Sequence, residues 1–270
     1  MNSRDTQIAA ALIEARRRGG LAPFAPQLAP ASLADAMAIQ KEVAQAIGAS
    51  IAGWKVGYAP NGIPVAAPIY ANVVHRSGDT VPVGPSGKSG IEVEIALRLA
   101  KDLPPLRGRP YARADILDAC EALLVGVEIV ESRFPEPPKP PFLALLADNS
   151  SNGAFVRGAE LRDARGLEVS RLRCKLTLDG KLAHEGVGGH AKGDPLLPVI
   201  DYVNHPCDLL GGLRAGQIVT TGTLSGCPFV EGAVKVAAEL EGLGEIAFEI
   251  VVQSKRGSET AALDGRRASP

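Results

Sequence analysis

Ile91-Glu92-Val93-Glu94-Ile95-Ala96-Leu97-Arg98-Leu99 alternates large apolar residues with polar or small ones, which is the period of a β-strand. Read as a strand, it puts Ile91, Val93, Ile95, Leu97 and Leu99 on one face and Glu92, Glu94, Ala96 and Arg98 on the other. Two carboxylates then stand side by side, their Cα atoms roughly 6–7 Å apart, close enough for both side chains to converge on one cation. An ordinary strand with its polar face in water accounts for the same alternation. The two readings are separated by Leu123-Leu124-Val125-Gly126-Val127-Glu128-Ile129-Val130, a nearly continuous apolar run broken by one acid. Such a run is buried on both faces, where an isolated ionised carboxylate is strongly disfavoured. Glu128 is therefore protonated, paired with a base such as Arg133 or Lys55, or bound to a cation. Three Glu with no His or Cys close in sequence describe a hard oxygen site suited to Mg²⁺ or Mn²⁺, with coordination positions left for a substrate.

Outward from these two runs, short apolar stretches separated by Gly, Pro, Asn and Asp predict further strands at 51–58, 172–178, 218–221, 234–240 and 246–253. Asp179-Gly180 predicts a hairpin, and one helix is predicted from about Arg113 to Ala122. The first fifty residues read as two amphipathic helices. Ile8, Ala9, Leu12, Ile13 and Ala15 line the first, which Gly19-Gly20 ends; Ser32 caps the second, which Gly48 stops. The prolines from Pro135 to Pro141 demand an extended loop, and the tail from Ser254 is expected to be disordered. The organisation expected is thus a helical segment over 1–50 packed on a catalytic unit over 51–253, with a tail over 254–270.

The 270 residues are 46% apolar, which excludes a disordered chain. Lys+Arg number 29 against 30 Asp+Glu, with the signs interspersed, so neither a nucleic-acid nor a membrane partner is expected. Without a spanning stretch or a leader pattern, the chain is expected to be cytoplasmic. Cys120, Cys174, Cys207 and Cys227 are far apart and are expected to be reduced and structural.

Gly53-Trp54-Lys55-Val56-Gly57 places a lysine in an apolar strand between glycines. Burial predicts a depressed pKa, and the side chain suits an acid, a base or a carboxylate anchor; a lysine snorkelling from a strand end is the plainer alternative. Asp148-Asn149-Ser150-Ser151-Asn152-Gly153 is a polar turn able to hold an oxyanion, or simply a tight loop. His184-Glu185 with His190 does not have zinc-protease spacing, Gly186 to Lys192 is not a phosphate loop, and Ser225 lacks a nucleophile-elbow frame.

Taken together, GWKVG (53–57), EVEIALRL (92–99), VEIVESR (127–133), ADNSSNGAFVRG (147–158) and LRAGQIVTTGTL (213–224) resemble the 2-oxopent-4-enoate hydratase and 4-oxalocrotonate decarboxylase family. That family is a branch of the fumarylacetoacetate hydrolase superfamily. The resemblance implies an α+β fold, a β-rich mixed roll of the fumarylacetoacetase C-terminal-like type with an N-terminal helical segment. It also implies a divalent ion on Glu92, Glu94 and Glu128, Lys55 beside the substrate, and Asn149, Ser150, Ser151 and Thr223 in substrate binding. The family's aspartate falls on Asn72, which cannot exchange a proton near neutral pH and so bears on hydration.

The function implied is a metal-dependent hydratase or decarboxylase acting on a 2-oxo-4-enoate or related 2-oxo acid through a metal-stabilised dienolate. The alternatives are an acylpyruvate-type C–C bond hydrolase and a catalytically silent metal-binding partner subunit. The amphipathic N-terminal helices lead us to expect a homo-oligomer.

Overall fold

The structure is a computed structural model that describes residues 2–252 except Pro85, Arg107, Pro137 and Asp163. The tail expected from Ser254 lies outside the described residues. In chain order the elements are α1 (Ser3–Arg18), α2 (Leu33–Ala46), β1 (Ile51–Tyr58), β2 (Pro64–Tyr70), β3 (Val74–Arg76), β4 (Thr80–Val83), β5 (Lys88–Leu99), α3 (Arg113–Ala119), β6 (Cys120–Val130), α4 (Phe142–Ala147), β7 (Asn152–Arg162), β8 (Arg173–Leu178), β9 (Lys181–Val187), α5 (Leu197–Asn204), β10 (Ile218–Thr223), β11 (Phe229–Glu231), β12 (Val234–Leu240) and β13 (Gly244–Val252).

The strands form two sheets. The larger runs β2-β1-β10-β5-β6-β7-β3, with β11 added alongside β5; the smaller runs β4-β13-β12-β8-β9. Parallel pairs (β1 with β10, β3 with β7) and antiparallel pairs share the larger sheet, and β2 meets β7 as the sheet curls. This is the mixed roll expected. Ile91, Val93, Ile95 and Leu97 of β5 and Leu123, Val125, Val127 and Ile129 of β6 pack against β8, β12 and β13, forming the main core between the sheets.

The opposite face of the larger sheet turns inward on itself. Residues paired across a ladder share a face, so the register Glu92↔Glu128, Glu94↔Gly126, Ala96↔Leu124, Lys55↔Thr220, Lys55↔Ala67 and Thr220↔Ala96 defines one concave surface. Ile69, Ala96, Leu124, Phe155 and Ile218 fill part of it as a separate buried cluster.

α1 and α2 form on the expected signals: Asn2 and Ser32 accept the amides of Asp5 and Asp35, Arg16, Arg17 and Arg18 complement the α1 dipole, and Gly19 closes α1 in the left-handed region. Their apolar stripes pack with Ala59, Val65, Phe134 and Ala144 in another core. The Asp179-Gly180 hairpin joins β8 to β9, both residues having positive φ (50° and 75°). The helix expected to reach Ala122 stops at Ala119, because Cys120 and Ala122 pair with Leu99 and Arg98 and the ladder outweighs helical preference. β2 and β7 were not foreseen. Pro64 and Pro68 mask β2, which tolerates them as the end strand of its sheet. Gly153 and Gly158 mask β7, where a Cβ would lie 2.9 Å from Glu131 Cβ and 2.7 Å from Ile246 Cβ.

Gly53 is required by sheet geometry. A Cβ there would sit 2.4 Å from the carbonyl oxygen of Ile218 on the parallel neighbour. Gly53→Ala is expected to part β1 from β10 and lower stability by about 3 kcal/mol in urea unfolding, at the upper end of overpacking costs.

Candidate metal centre

β5 delivers Glu92 and Glu94, β6 delivers Glu128, and one carboxylate oxygen from each lies within 4.8 Å of the others. The strand spacing read from the sequence therefore places all three acids on one face, and the plainer reading of a water-facing strand fails because Glu94 and Glu128 are fully buried. Among the described residues this is the acid cluster with metal-ligand spacing.

Lys55 crosses the roll from β1. Its Nζ donates to Glu128 Oε1 at 2.8 Å and to the carbonyl of Ser150 at 3.0 Å. The ion-pair alternative for Glu128 is thus present, with Lys55 as partner. Arg133 is engaged elsewhere, donating to Asp148. The depressed pKa expected for Lys55 is corrected: burial pulls it down, but Glu128, Glu92 and Glu94 together hold it above the ordinary lysine value.

The acids carry the opposite signature. Burial first, then Glu128 and Glu92, raise Glu94 to about 8, although Lys55 and the Gly222 amide oppose the shift. Burial also raises Glu92, against Lys55. Glu94 Oε2 accepts from the Gly222 N–H at 2.8 Å, and Glu128 Oε1 accepts from Asn152 Nδ2 at 3.0 Å. The remaining oxygens, Glu94 Oε1 and Glu128 Oε2, are buried without a partner. Buried unpartnered carboxylate oxygens are costly, and a hard divalent cation satisfies both at once. The residues fit such an ion.

A proton and a cation compete for these oxygens. An acid whose folded pKa lies above its usual 4.5 stabilises the fold at low pH, a contribution lost as pH rises from about 4.5 through about 8. We expect the ion-free protein to lose thermal stability across that window, and the melting-temperature gain from 5 mM Mg²⁺ to be larger at pH 8.5 than at pH 6. An equal gain at both pH values refutes the competition.

The polar turn also comes to the site. Asn149, Ser150 and Ser151 have φ of 54°, 50° and 61°, three consecutive left-handed residues without a glycine. Asn149 Nδ2 donates to the Pro68 carbonyl while its Oδ1 is buried and unpartnered. Thr223 pairs with Glu94 in the ladder, but its hydroxyl donates to the Gly226 carbonyl at 2.6 Å and so closes a turn.

Asn72 is not brought to this group. It is exposed in the turn after β2, lining a cleft with Arg16, Glu131 and Arg133, whereas the β2 residue opposite Lys55 is Ala67. Ser225 accepts the Val93 amide and serves the fold. Three residues unforeseen as site residues do reach the cluster: Asn152; Thr220, fully buried with an unpartnered hydroxyl in register with Lys55; and Cys227, whose thiol is pushed up to about 12 by burial and by the charge of Glu92. The four cysteines are unpaired, as expected. Nothing local marks Thr220 or Cys227, because only the sheet register brings them near the acids.

A β-roll with three inward carboxylates defines the class, and residues 56–251 match the fumarylacetoacetate (FAA) hydrolase C-terminal family. The chain belongs to that family. It is 28% identical to a 2-keto-4-pentenoate hydratase of Paraburkholderia phymatum over 91% of this chain and 97% of the relative. It is 29% identical to 2-keto-4-pentenoate hydratase 2 of Dechloromonas aromatica over 89% and 95%. In fold it is similar to 4-oxalocrotonate decarboxylase from Pseudomonas putida G7, solved with magnesium and adipate, with a TM-score of 0.78, 21% identity and coverage of 93% and 99%. No helix among the described residues is long and apolar enough to cross a membrane.

Proposed function

We propose that this chain is a divalent-ion-dependent lyase that hydrates a 2-oxo-4-enoate or decarboxylates a vinylogous 2-oxo diacid. The observation that carries the reading is Lys55 set against three carboxylates on the inner face of the roll, two of them fully buried with an oxygen each that lacks a partner. What Mg²⁺ or Mn²⁺ on Glu92, Glu94 and Glu128 supplies is Lewis-acid stabilisation of the charge that grows on the 2-oxo group in either reaction. Lys55 neutralises the substrate carboxylate and carries a proton at Nζ, and the Ser150 carbonyl fixes where that nitrogen points. Asn149 Oδ1 and the Thr220 hydroxyl, both without partners, orient the 2-oxo acid. Thr223 and Ser151 shape the rim.

Of the two reactions, decarboxylation is favoured. Across β2 from Lys55 the sequence is Val65-Ala66-Ala67-Pro68, which offers no ionisable group, and Asn72 stands apart. Hydration needs a second group to place water and its proton at the far carbon, whereas decarboxylation needs one protonation after CO₂ leaves. The test supplies the purified chain and Mg²⁺ with 2-oxopent-4-enoate and, separately, with a 2-oxo-3-enedioate, following ultraviolet absorbance and released CO₂. CO₂ release faster than hydration is the expected result. Hydration alone overturns the preference, and no turnover of either substrate overturns the function.

A further inference from the structure

The loop of Asn149, Ser150 and Ser151 is a run of three left-handed residues, where non-glycine residues take that conformation singly, and it persists only where its surroundings over-determine it. Its surroundings are unusual. The Arg133 guanidinium brackets the loop, donating from Nη2 to the Asp148 carbonyl at 3.0 Å and from Nη1 to the Asn152 carbonyl at 2.7 Å. The fully buried Asp148 carboxylate accepts from Arg133 Nε and the Arg133 amide, both at 2.7 Å, and from Ser132 Oγ at 3.1 Å. Its fourth donor comes from outside the roll: Arg16 Nη2 of α1, at 3.0 Å and 132 residues away in sequence. The Arg16 guanidinium carbon lies 5.1 Å from the centre of the Tyr70 ring. The Ala22 amide, beyond α1, donates to the Arg133 carbonyl at 2.7 Å. Burial, then repulsion from Arg133, lowers Arg16 to about 10, so it remains cationic at neutral pH.

We propose that Arg16 of the N-terminal helix is a positioning residue for the reaction: with Arg133 it locks Asp148, and thereby the left-handed loop whose Ser150 carbonyl aims Lys55 at the acid cluster. The inference rests on the function proposed above. It gives the N-terminal segment a part in the chemistry, where sequence alone suggested only packing. Arg16 pairs with Asp148 and not with the three acids, so its loss leaves ion affinity unchanged while misplacing the ammonium group. A cavity of about 590 Å³ lined by Arg16, Arg133, Ser132 and Tyr70 adjoins this network, so a small cation can reach the space that a shortened side chain vacates.

The experiment compares wild type, Arg16→Met, Arg16→Ala and the control Arg17→Met, whose parent side chain donates to the Ala46 carbonyl on α2. Three readouts are used: steady-state turnover, Mg²⁺ calorimetry, and hydrogen exchange of the amides from Asn149 to Asn152. For Arg16→Met we expect kcat to fall about 10- to 100-fold, the loss that a misplacement near 1 Å produces. Mg²⁺ affinity stays within about threefold, consistent with the geometry-only role. Loop exchange becomes at least about tenfold faster, reporting local opening. Low-millimolar guanidinium restores part of the activity of Arg16→Ala, and Arg17→Met behaves as wild type. Wild-type kcat and exchange in Arg16→Met overturn the proposal, as does an equal loss in Arg17→Met. If wild type turns over neither substrate, the functional reading fails separately and the exchange data decide the lock alone: faster in Arg16→Met upholds Arg16 as the residue that holds the loop, unchanged refutes it.

Discussion

Glu94→Gln is expected to abolish the thermal response to Mg²⁺ while making the ion-free protein more stable at pH 8.5. Both effects follow from one fact, that Glu94 is a fully buried acid facing two others. As a ligand it supplies one of three charges on which affinity for a hard cation rests, and its removal is expected to weaken Mg²⁺ by at least about 100-fold, about 2.7 kcal/mol. Without the ion the same charge is a liability, because its neighbours and its burial raise it to about 8. Glutamine retains an acceptor for the Gly222 amide and turns an NH₂ toward Glu92 and Glu128 in place of an unpartnered oxygen. A gain on the order of 1–2 kcal/mol in the ion-free state is therefore expected. The check is melting temperature with and without 5 mM Mg²⁺ for wild type, Glu94→Gln and Glu128→Gln. Wild-type ion shifts in both variants refute the metal centre.

Lys55→Met is expected to reduce kcat by about 10³-fold, the scale of a lost proton carrier. Methionine keeps the apolar stem that sits in the half-buried strand position. What it removes is the cation 2.8 Å from Glu128, and that leaves the three acids, two of them fully buried, with no counter-charge from β1. Breaking such a pair costs about 3 kcal/mol in the ion-free state near pH 8, and less near pH 5.5, where Glu94 and Glu92, held above the ordinary carboxylate range, take up protons instead. Saturating Mg²⁺ restores most of the loss. The measurement is kcat beside urea unfolding at both pH values, with and without the ion. Turnover at the wild-type rate leaves Lys55 with the structural role alone, and unaltered ion-free stability at pH 8 contradicts the pairing.

These two residues show how far the chain could be read without its fold. The acids were legible because their signal is local: the two-residue period of β5 fixes that Glu92 and Glu94 share a face, and an acid within the apolar run of β6 cannot lack a partner. Lys55 was legible as an oddity, a cation between glycines in an apolar strand, but its charge state was misjudged. Burial was visible in the sequence, whereas the Coulombic effect of three acids belonging to strands that neighbour it only in space was not. Asn72 is the converse case. A position matched by resemblance lies past the end of β2, which presents Ala67 to Lys55.

By itself, then, the sequence determined the strand faces, the hairpin at Asp179-Gly180 and the capped N-terminal helices, because each depends on residues within a turn or one strand of one another, and the hardness of the donor set, because residue type alone makes it three carboxylates. Only the tertiary structure decided which distant groups complete the site. Thr220 faces Lys55 because β1 and β10 pair in parallel at one register, and Asn152 reaches Glu128 across β6 and β7. Arg16 reaches Asp148 because α1 packs beside the loop. Such juxtapositions span well over a hundred residues of chain and follow from how a curled sheet closes, a property of the whole ladder that no local pattern encodes.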